Sequence, residues 1–383
     1  MNNFEFYNPV KIIFGKDQIT QLPRQIDKKN SVLLIYGGGS IRKNGVYDQT
    51  IAALAGYTVL EFSGIEPNPR YETCLKAVEL IQQNQIDFLL AIGGGSVIDA
   101  TKFIAAAARF THGDPWTILS SRAPVRDALP FGCILTLPAT GSEMNSGAVI
   151  TRQATNEKFA FGHPLLFPRF SILLPEAAAT LPPRQVANGV VDAFVHTLEQ
   201  YITYPADAPL QDRFVESILL TLIEQGPKAY ANPADYSAMS SLMWCATMAL
   251  NGLIGCAVPS DWATHMIGHE LTALHEIDHA RTLAIVLPGL WRALIDHKTE
   301  KLAQYGQRVW GIEQGTPRQI AEEAILRTEE FFHSLDIPTR LSDYGLGEET
   351  VQNVVSRLDK RGWRALGDRR LATPEIVRLA LGE

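Results

Sequence analysis

The chain has 383 residues, enough for two domains that each bury a core. Hydrophobic residues make up 46% and charged residues 20%, as in ordinary globular proteins, and the formal net charge of −7 argues against nucleic acid or anionic membranes as partners. No run of about 18 apolar residues occurs, the N-terminus resembles no signal peptide, and the four cysteines are scattered. We therefore predict a cytoplasmic protein with buried free thiols and no membrane span.

Short apolar runs alternate with helical stretches up to about residue 180. The predicted strands are Lys11–Phe14, Ser31–Tyr36, Thr58–Phe62, Phe88–Ile92, Phe131–Leu135 and Phe170–Leu174. Helices are predicted between several of them, as at Thr73–Asn84 and Val97–Phe110. Alternation of helices with continuously apolar strands predicts a parallel sheet that is covered on both faces.

Two glycine-rich turns each follow a predicted strand. Their residues are Gly37, Gly38, Gly39 and Ser40 in the first turn and Gly93, Gly94, Gly95 and Ser96 in the second. The second turn opens a predicted helix, where small residues, free amides and the helix dipole together favour a phosphate group. A plain strand–helix turn remains the alternative, because neither turn has the GxGxxG pattern of an ordinary dinucleotide-binding loop.

A third loop follows the predicted strand Phe131–Leu135. It contains Thr136 and the run from Thr140 to Glu143, whose hydroxyl and amide groups are suitable donors to a bound nucleotide. A simple turn rich in serine and threonine is the alternative interpretation.

The pattern changes after Leu181, where Pro182 and Pro183 are followed by long helical periods. A proline pair neither donates to a strand ladder nor continues a helix, so it indicates a hinge. We predict a nucleotide-binding α/β domain over residues 1–181 and a helical metal-binding and substrate domain over residues 182–383.

Asp192 and His196 lie one helical turn apart in a segment with buried-helix periodicity. His265 and His269 repeat this spacing, and His279 follows them. A carboxylate with two or three imidazoles is a ligand set for zinc or ferrous iron. Hydrogen-bonded core histidines and a solvated Asp–His pair are the alternatives. A buried Asp192 without a cation or donor would cost roughly several kcal/mol, so the spacing favours a metal site.

These motifs together resemble the iron-containing (group III) alcohol dehydrogenase family. The nearest branch is that of the NADPH-dependent aldehyde reductases, also described as butanol dehydrogenases. The resemblance covers essentially the whole chain, from Phe14-Gly15 through both GGGS turns and the Ala-Thr-Gly-Ser-Glu loop to the later histidines. It implies a Rossmann-like N-terminal domain with a parallel sheet, an all-α C-terminal domain and a homodimer, as in the related dehydroquinate synthase-like architecture.

The resemblance also implies the roles of individual residues. It places Asp192, His196, His265 and His279 on one divalent ion, Fe2+ or Zn2+, and His269 near the substrate as a catalytic group. The resemblance further implies NADP(H) as the cofactor, with its phosphates on Gly93, Gly94, Gly95 and Ser96 beside Asp99. It places the adenosine ribose near Gly37, Gly38, Gly39 and Ser40. The rest of the cofactor groove would follow Thr136, Thr140 and Lys158.

Two positions depart from the family. Members often have Pro-His-Gly at the last ligand, where this chain has Asp278-His279-Ala280. Many also carry Asp-Pro before the hinge, where this chain has Leu174-Pro175, which affects a contact on the cofactor side.

The predicted reaction is the reversible reduction of an aldehyde to a primary alcohol, in which the metal polarises the carbonyl and nicotinamide supplies hydride. One alternative is a dehydroquinate-synthase-like lyase, which needs several basic residues where the ligand-bearing segments offer mainly Arg281 and Lys298. A metal-dependent hydrolase and a non-catalytic nucleotide-binding or metal-binding protein are the others.

NADPH is predicted over NADH. Enzymes that select NAD commonly place an acidic side chain after the second strand of the nucleotide unit, to bind the ribose hydroxyls. After Tyr36 this chain has the first glycine turn and no acid before Asp48, while Arg42 or Lys43 adds positive charge.

Overall fold

The computed structural model describes residues 1–382, which divide into two compact units. The first, here called the sheet unit, comprises Tyr7–Leu181 and Asn232–Thr247. The second, the helical unit, comprises Met1–Phe6, Pro182–Ala231 and residues 248–382.

The predicted ranges 1–181 and 182–383 differ from these units at two segments, of which the larger is 232–247. Side-chain contacts attach this segment to the sheet unit. Trp244 packs edge to face on Phe14 with 6.2 Å between ring centroids, and the Thr247 hydroxyl donates a hydrogen bond to the buried Glu143 carboxylate. Such pairings join distant parts of the chain, so helical periodicity alone did not reveal them.

Eight strands are found among residues 1–382. They are β1 (Lys11–Phe14), β2 (Ser31–Tyr36), β3 (Thr58–Phe62), β4 (Phe88–Gly93), β5 (Phe131–Leu135), β6 (Gly147–Arg152), β7 (Glu157–Gly162) and β8 (Phe170–Leu173). Six of them form one sheet in the order β1-β8-β5-β4-β2-β3, with every neighbouring pair parallel. The predicted parallel sheet and its six strands are confirmed, with bounds that differ by at most one residue.

Strands β6 and β7 form an antiparallel hairpin that was not predicted. Only a minority of their side chains are buried, whereas every residue of β4, β5 and β8 is buried. A continuous apolar run in a sequence indicates a buried strand. A short, half-exposed hairpin that follows a polar loop has no such run, so its sequence cannot be told from that of the loop.

The core of the sheet depends on one glycine. On β5, a Cβ at Gly132 would lie 2.3 Å from the Phe170 ring, which stacks on Phe88 with an interplanar angle of 9°. Only glycine leaves room for this aromatic pair beside the strand.

Fourteen α-helices are found in the described residues. They are α1 (Ser40–Lys43), α2 (Val46–Ala53), α3 (Tyr71–Asn84), α4 (Gly95–Ala107), α5 (Thr117–Ser120), α6 (Pro183–Glu199), α7 (Pro209–Ala231), α8 (Tyr236–Ala249), α9 (Ala263–His275), α10 (His279–Ala293), α11 (Ile295–Arg308), α12 (Pro317–His333), α13 (Glu348–Lys360) and α14 (Pro374–Leu381). Within residues 1–382, no helix combines the length and apolar character needed to cross a membrane.

Helix α10 is central in the helical unit, where it packs against α6, α9 and α14. Its Gly289 lies against α14 so closely that a Cβ would be 2.0 Å from the Ala380 carbonyl oxygen. Helix α9 is tied to α13 through Glu270, which is 1% exposed and pairs with Arg357 and Arg361. The predicted all-α domain is confirmed, and α6, α9 and α10 carry the predicted metal ligands.

Three loops of the sheet unit lie side by side. Strands β2, β4 and β5 are neighbours and run parallel, so the turns at their carboxyl ends share one edge of the sheet. Both GGGS turns and the loop after β5 lie at this edge, which is where open parallel sheets bind ligands.

Candidate functional site

The two central loops of the sheet unit are in direct contact. The Thr136 amide donates to the Gly93 carbonyl oxygen at 3.0 Å. A Cβ at Gly95 would lie 2.3 Å from the Thr140 hydroxyl oxygen, and one at Gly94 would lie 3.1 Å from the Leu137 Cβ. Small residues are therefore required here for loop packing, whatever the turn binds.

Helix α4 begins inside the second glycine turn. Gly94 is its N-cap residue and makes no side-chain cap, and Ser96 lies in the first turn. The amides of a first helical turn lack partners within the helix, so they can donate to an anion at the sheet edge.

The predicted cofactor residue Asp99 is turned toward the protein. Its carboxylate accepts hydrogen bonds from the Ser142 hydroxyl at 2.6 Å and from the Val149 amide at 2.8 Å. Burial raises the pKa of Asp99, although the nearby Lys102 ammonium opposes this effect. Asp99 therefore fixes the loop after β5 to α4 and supports this edge of the sheet.

Lys102 was not singled out from the sequence. It is fully buried and donates to the Ser142 hydroxyl, the Asn145 side-chain oxygen and the Gly147 carbonyl oxygen at 2.6–2.9 Å. Burial lowers its pKa to about 8. A lone lysine in a helix whose other buried residues are mostly apolar was the available signal for a structural role.

The remaining cofactor candidates lie in different surroundings. Thr136 is buried after β5, while Ser40 is the first residue of α1. Lys158 lies on β7 of the hairpin, where it is 5% exposed and donates to the Asn68 side chain at 2.8 Å.

The predicted metal ligands converge in the helical unit. Ligand atoms of Asp192, His265 and His279 all lie within 4.8 Å of one another. Asp192 Oδ1 is 3.9 Å from His279 Nε2 and 3.8 Å from His196 Nδ1. His196 stacks on His265 with 4.6 Å between ring centroids, so all four predicted ligands share one cluster.

The chemistry of this cluster fits a divalent metal. Asp192, His196 and His265 are 3–7% exposed, and His196 Nδ1 makes no hydrogen bond within residues 1–382. Burial lowers the pKa of His196 to about 4, so its imidazole is neutral, which is the form that binds metals. One carboxylate with three imidazoles offers the nitrogen and oxygen donors preferred by zinc and ferrous iron.

His269 lies beside the cluster. It follows His265 by one turn of α9, and its ring centroid is 5.0 Å from that of His279 and 6.3 Å from that of His265. Like His196, it is not one of the three residues whose ligand atoms converge within 4.8 Å, but His196 Nδ1 lies 3.8 Å from Asp192 Oδ1.

Glu199, the last residue of α6, holds His265 in place. Its carboxylate contacts His265 Nδ1 and accepts from the backbone amide of Thr264 at 2.8 Å and of His265 at 3.3 Å. Burial raises the pKa of Glu199 to about 8, while these hydrogen bonds oppose the rise. Contact through Nδ1 leaves Nε2 of His265 available to a metal, and carboxylates commonly orient ligand histidines in this way.

Asp278 anchors the segment before the last predicted ligand, His279. It precedes His279, and its carboxylate accepts from Arg184 Nε at 2.7 Å and from Asn188 Nδ2 at 2.9 Å. Partial burial raises the pKa of Asp278, but the hydrogen bonds from Arg184 and Asn188 outweigh it and lower the pKa. Because Arg184 and Asn188 lie on α6 with Asp192, this helix positions His279 as well.

Comparison with known proteins agrees with these observations. A family profile described as iron-containing alcohol dehydrogenase matches residues 9–175, and the C-terminal profile of the same family matches residues 186–362. The NADPH-dependent aldehyde reductase YqhD of Escherichia coli K12 is 54% identical over 99% of this chain and 98% of its own length.

Two further matches are close. A probable NADH-dependent butanol dehydrogenase 1 of Bacillus subtilis is 43% identical over 94% of this chain and 95% of its own length. The crystal structure of E. coli YqhD superimposes with a TM-score of 0.98 at 53% identity, covering 99% of this chain and 98% of that one. Together with the sheet-edge loops and the Asp–His cluster, these matches show that this chain belongs to the iron-containing alcohol dehydrogenase family.

Proposed function

We propose that this chain is a metal-dependent oxidoreductase that reduces aldehydes to primary alcohols with NADPH, and that it also catalyses the reverse reaction. The observation that carries the proposal is the convergence of Asp192, His265 and His279 in a buried cluster with His196. Membership of the iron-containing alcohol dehydrogenase family supports it, since similar proteins are an aldehyde reductase and butanol dehydrogenases.

Each group has a separate part in this reaction. A divalent ion held by Asp192, His196, His265 and His279 would supply a Lewis acid for the carbonyl oxygen. NADPH would supply the hydride. Neutral imidazoles leave the ion its positive charge, and burial of His196 keeps that imidazole neutral. His269, beside the ligands, would orient the substrate or relay its proton.

Iron and zinc are both compatible with this site. Imidazole and carboxylate donors suit either ion, so the ligand set does not choose between them. The family description favours iron.

We further propose that NADPH binds at the carboxyl edge of the sheet. Its phosphates would meet the turn from Gly93 to Ser96 and the first amides of α4, and its adenosine ribose would meet the turn from Gly37 to Ser40. Thr136, Thr140 and Lys158 would line the remaining contacts. The adjacency of the three loops supports this arrangement.

A lyase of the dehydroquinate synthase type is less compatible with the helical unit. Such a site needs cations that are available to an anionic substrate. Lys298 is instead paired with Asp261 at 2.7 Å and donates to the Ile202 carbonyl oxygen, while Arg281 donates to the Asp336 carbonyl oxygen. Both basic residues named from the sequence are therefore engaged in structural contacts.

Nicotinamide absorbance during turnover with butanal tests the proposed reaction. We expect NADPH oxidation that depends on added aldehyde, is lost after metal removal by a chelator and returns with Fe2+ or Zn2+. The absence of any aldehyde-dependent change in nicotinamide absorbance in the metal-replete protein would contradict the proposal.

The preference for NADPH over NADH has its own test. A Cβ at Gly38 would meet nothing within 4 Å, whereas Gly39 has a φ of 94° that a side chain would strain. Gly38→Asp should therefore fold normally and shift preference toward NADH by repelling the 2′-phosphate. A wild-type kcat/KM that favours NADH would show that the proposed preference is wrong.

We also propose a homodimer in the cytoplasm. Strand β1 is an edge of the sheet, and an unpaired edge can associate with another chain. Tyr7, Phe14 and Trp244 of the same unit are 38–73% exposed, and apolar side chains of this size at an edge favour association. The four cysteines are buried and form no disulfide within residues 1–382, as is usual in a reducing compartment.

A further inference from the structure

Four side chains meet at the carboxyl end of β2, where the first glycine turn begins. The hydroxyl of Tyr36, the last residue of β2, donates to Glu61 Oε2 at 2.7 Å. Arg42 donates from Nη2 to the same carboxylate oxygen and to the Tyr36 hydroxyl oxygen, both at 2.7 Å. The Tyr47 hydroxyl donates to the other carboxylate oxygen, and the Arg42 guanidinium lies 3.8 Å from the Tyr47 ring centroid.

The sequence alone did not show that an acidic residue, Glu61, lies close to the end of β2. It lies on β3, beyond Asp48, but parallel pairing of β3 with β2 brings its carboxylate to Tyr36. An acid is therefore present at the end of β2, although none follows Tyr36 closely in the chain. This is the place where dinucleotide enzymes commonly distinguish the two nicotinamide cofactors.

The charge of Glu61 is offset by its partners. Partial burial raises the pKa of Glu61, but the hydrogen bonds from Tyr47 and Tyr36 and the charge of Arg42 outweigh it and lower the pKa. The carboxyl group is thus ionised at neutral pH and bound to a guanidinium. The Glu61 and Arg42 side chains remain 34% and 48% exposed, so both can respond to a ligand at the surface.

The adjoining turn is open and uncharged. A Cβ on Gly38 or Gly39 would meet no atom within 4 Å. The turn is fixed from behind, because the Gly64 amide donates to the Gly37 carbonyl oxygen at 3.2 Å. With no charged side chain from Gly37 to Ser40, Arg42 and Glu61 supply the charge beside the turn.

The two cofactors differ only in whether a phosphate is attached to the adenosine 2′-oxygen. A carboxylate repels this phosphate and accepts a hydrogen bond from a free hydroxyl, whereas a guanidinium favours the phosphate. Family membership does not fix the choice, because the E. coli relative is described as NADPH-dependent and the B. subtilis relative as NADH-dependent.

We propose that the Arg42–Glu61 pair sets the cofactor preference of this chain. Arg42 neutralises the Glu61 carboxylate, so the turn accepts a 2′-phosphate. Loss of Arg42 exposes the carboxylate, and the turn then favours a 2′-hydroxyl. The inference rests on the proposed binding of the adenosine ribose at the turn from Gly37 to Ser40.

Dissociation constants of NADPH and NADH, measured by cofactor fluorescence without substrate, test this role. Arg42→Met should raise the dissociation constant of NADPH by about tenfold and leave that of NADH unchanged or lower. Adding Glu61→Gln to this variant should bring the NADPH constant back to within about threefold of wild type, because the exposed carboxylate is then gone.

Arg109→Met is the matched control. Arg109 follows the C-terminus of α4, is also 48% exposed and pairs with Asp127 at 3.6 Å, so its loss changes the net charge equally. We expect no change in the ratio of the two constants. An equal shift in Arg109→Met would overturn the proposal by showing an effect of net charge.

Two other outcomes are equally decisive. An unchanged ratio in Arg42→Met would overturn the role of the pair. A double variant that stays as weak for NADPH as Arg42→Met would show that Arg42 only binds phosphate and that Glu61 has no part in selection. If the wild-type protein itself binds NADH more tightly, the proposed NADPH preference is wrong, whereas the change caused by each substitution still tests the pair.

Discussion

Residues of the histidine cluster differ in their distances from one another, and these distances distinguish the predicted ligands from the neighbouring His269. Asp192 is the one carboxylate among the four predicted ligands, and it lies within 4 Å of both His196 Nδ1 and His279 Nε2. His269 lies at the side of the cluster, nearest to His279. Removal of Asp192 should therefore damage the site far more than removal of His269.

The first prediction compares Asp192→Ala with His269→Ala. Asp192→Ala should retain less than about one-tenth of the bound metal, because a direct ligand and its negative charge are lost. His269→Ala should keep its metal but lower kcat or alter the dependence of kcat on pH. Elemental analysis of the purified variants measures the difference. Complete metal loss in His269→Ala would place His269 among the ligands, and a metal-replete Asp192→Ala would refute the assignment.

Glu199 gives a second prediction for a single residue. Glu199→Gln keeps the shape of the side chain but weakens the acceptor behind His265, so metal affinity should fall about 10- to 100-fold. Competition with a chelator of known affinity measures this change without substrate. Glu224→Gln, at an exposed position of α7, is the control and should bind metal like wild type. Equal metal affinities in Glu199→Gln and wild type would show that His265 needs no such support.

At the level of elements, the two central loops of the sheet edge depend on each other. Gly95→Val would place a side chain against Thr140, so both loops must move. We expect the dissociation constant of NADPH to rise by about tenfold or more, on the order of 1.4 kcal/mol. Gly347→Ala is the control, since its new methyl group meets no neighbour within 4 Å and the position lies outside the proposed cofactor loops. Binding of NADPH by a folded Gly95→Val with wild-type affinity would mean that the turn is only structural.

Packing of α10 on α14 makes another prediction for an element. Gly289→Ala would bring a methyl group into the Ala380 carbonyl oxygen, which is backbone and cannot rotate away. The helical unit should lose about 1–3 kcal/mol of stability. Thermal unfolding, followed by circular dichroism, should show a lower midpoint than for Gly347→Ala, where a Cβ meets nothing within 4 Å. Equal unfolding midpoints for Gly289→Ala and Gly347→Ala would show that α14 moves to accommodate the methyl group without loss of stability.

Elements could be predicted where burial is uniform along the chain. Strands such as β2 and β4 are apolar at nearly every position, because both faces of the sheet are covered, and their bounds were predicted almost to the residue. The β6–β7 hairpin and the attachment of residues 232–247 to the sheet unit were not predicted. The hairpin is half-exposed and so lacks a continuous apolar run, whereas the attachment of residues 232–247 depends on contacts with distant parts of the chain.

The same division applies to the candidate site. Asp192 and His196 could be recognised because a four-residue spacing on one helix fixes their relation locally. Glu199, Lys102 and Glu61 escaped notice because their roles come from partners that lie 14 to 66 positions away in the sequence. A carboxylate or ammonium has no visible partner until the strands and helices are assembled.

For the whole molecule, association through the β1 edge can be tested directly. Phe14→Glu combined with Trp244→Glu should convert a dimer into monomers, because two charges would be buried in an apolar contact. Sedimentation equilibrium measures the mass. Leu165→Glu, at a 47% exposed apolar residue between β7 and β8, should leave the mass unchanged. A wild-type protein with the mass of a single chain would contradict the proposed homodimer.

Helix α6 has a consequence for how this chain can vary. Arg184 and Asn188 hold the segment before His279, Asp192 and His196 are predicted ligands, and Glu199 holds His265. One inserted residue between Asn188 and Asp192 would rotate the later group by about 100° relative to the earlier one. We expect insertions and deletions to be excluded from this helix but tolerated in exposed loops away from the sheet edge. A scan of single-residue insertions, scored by metal content, should show the whole of α6 as one intolerant block.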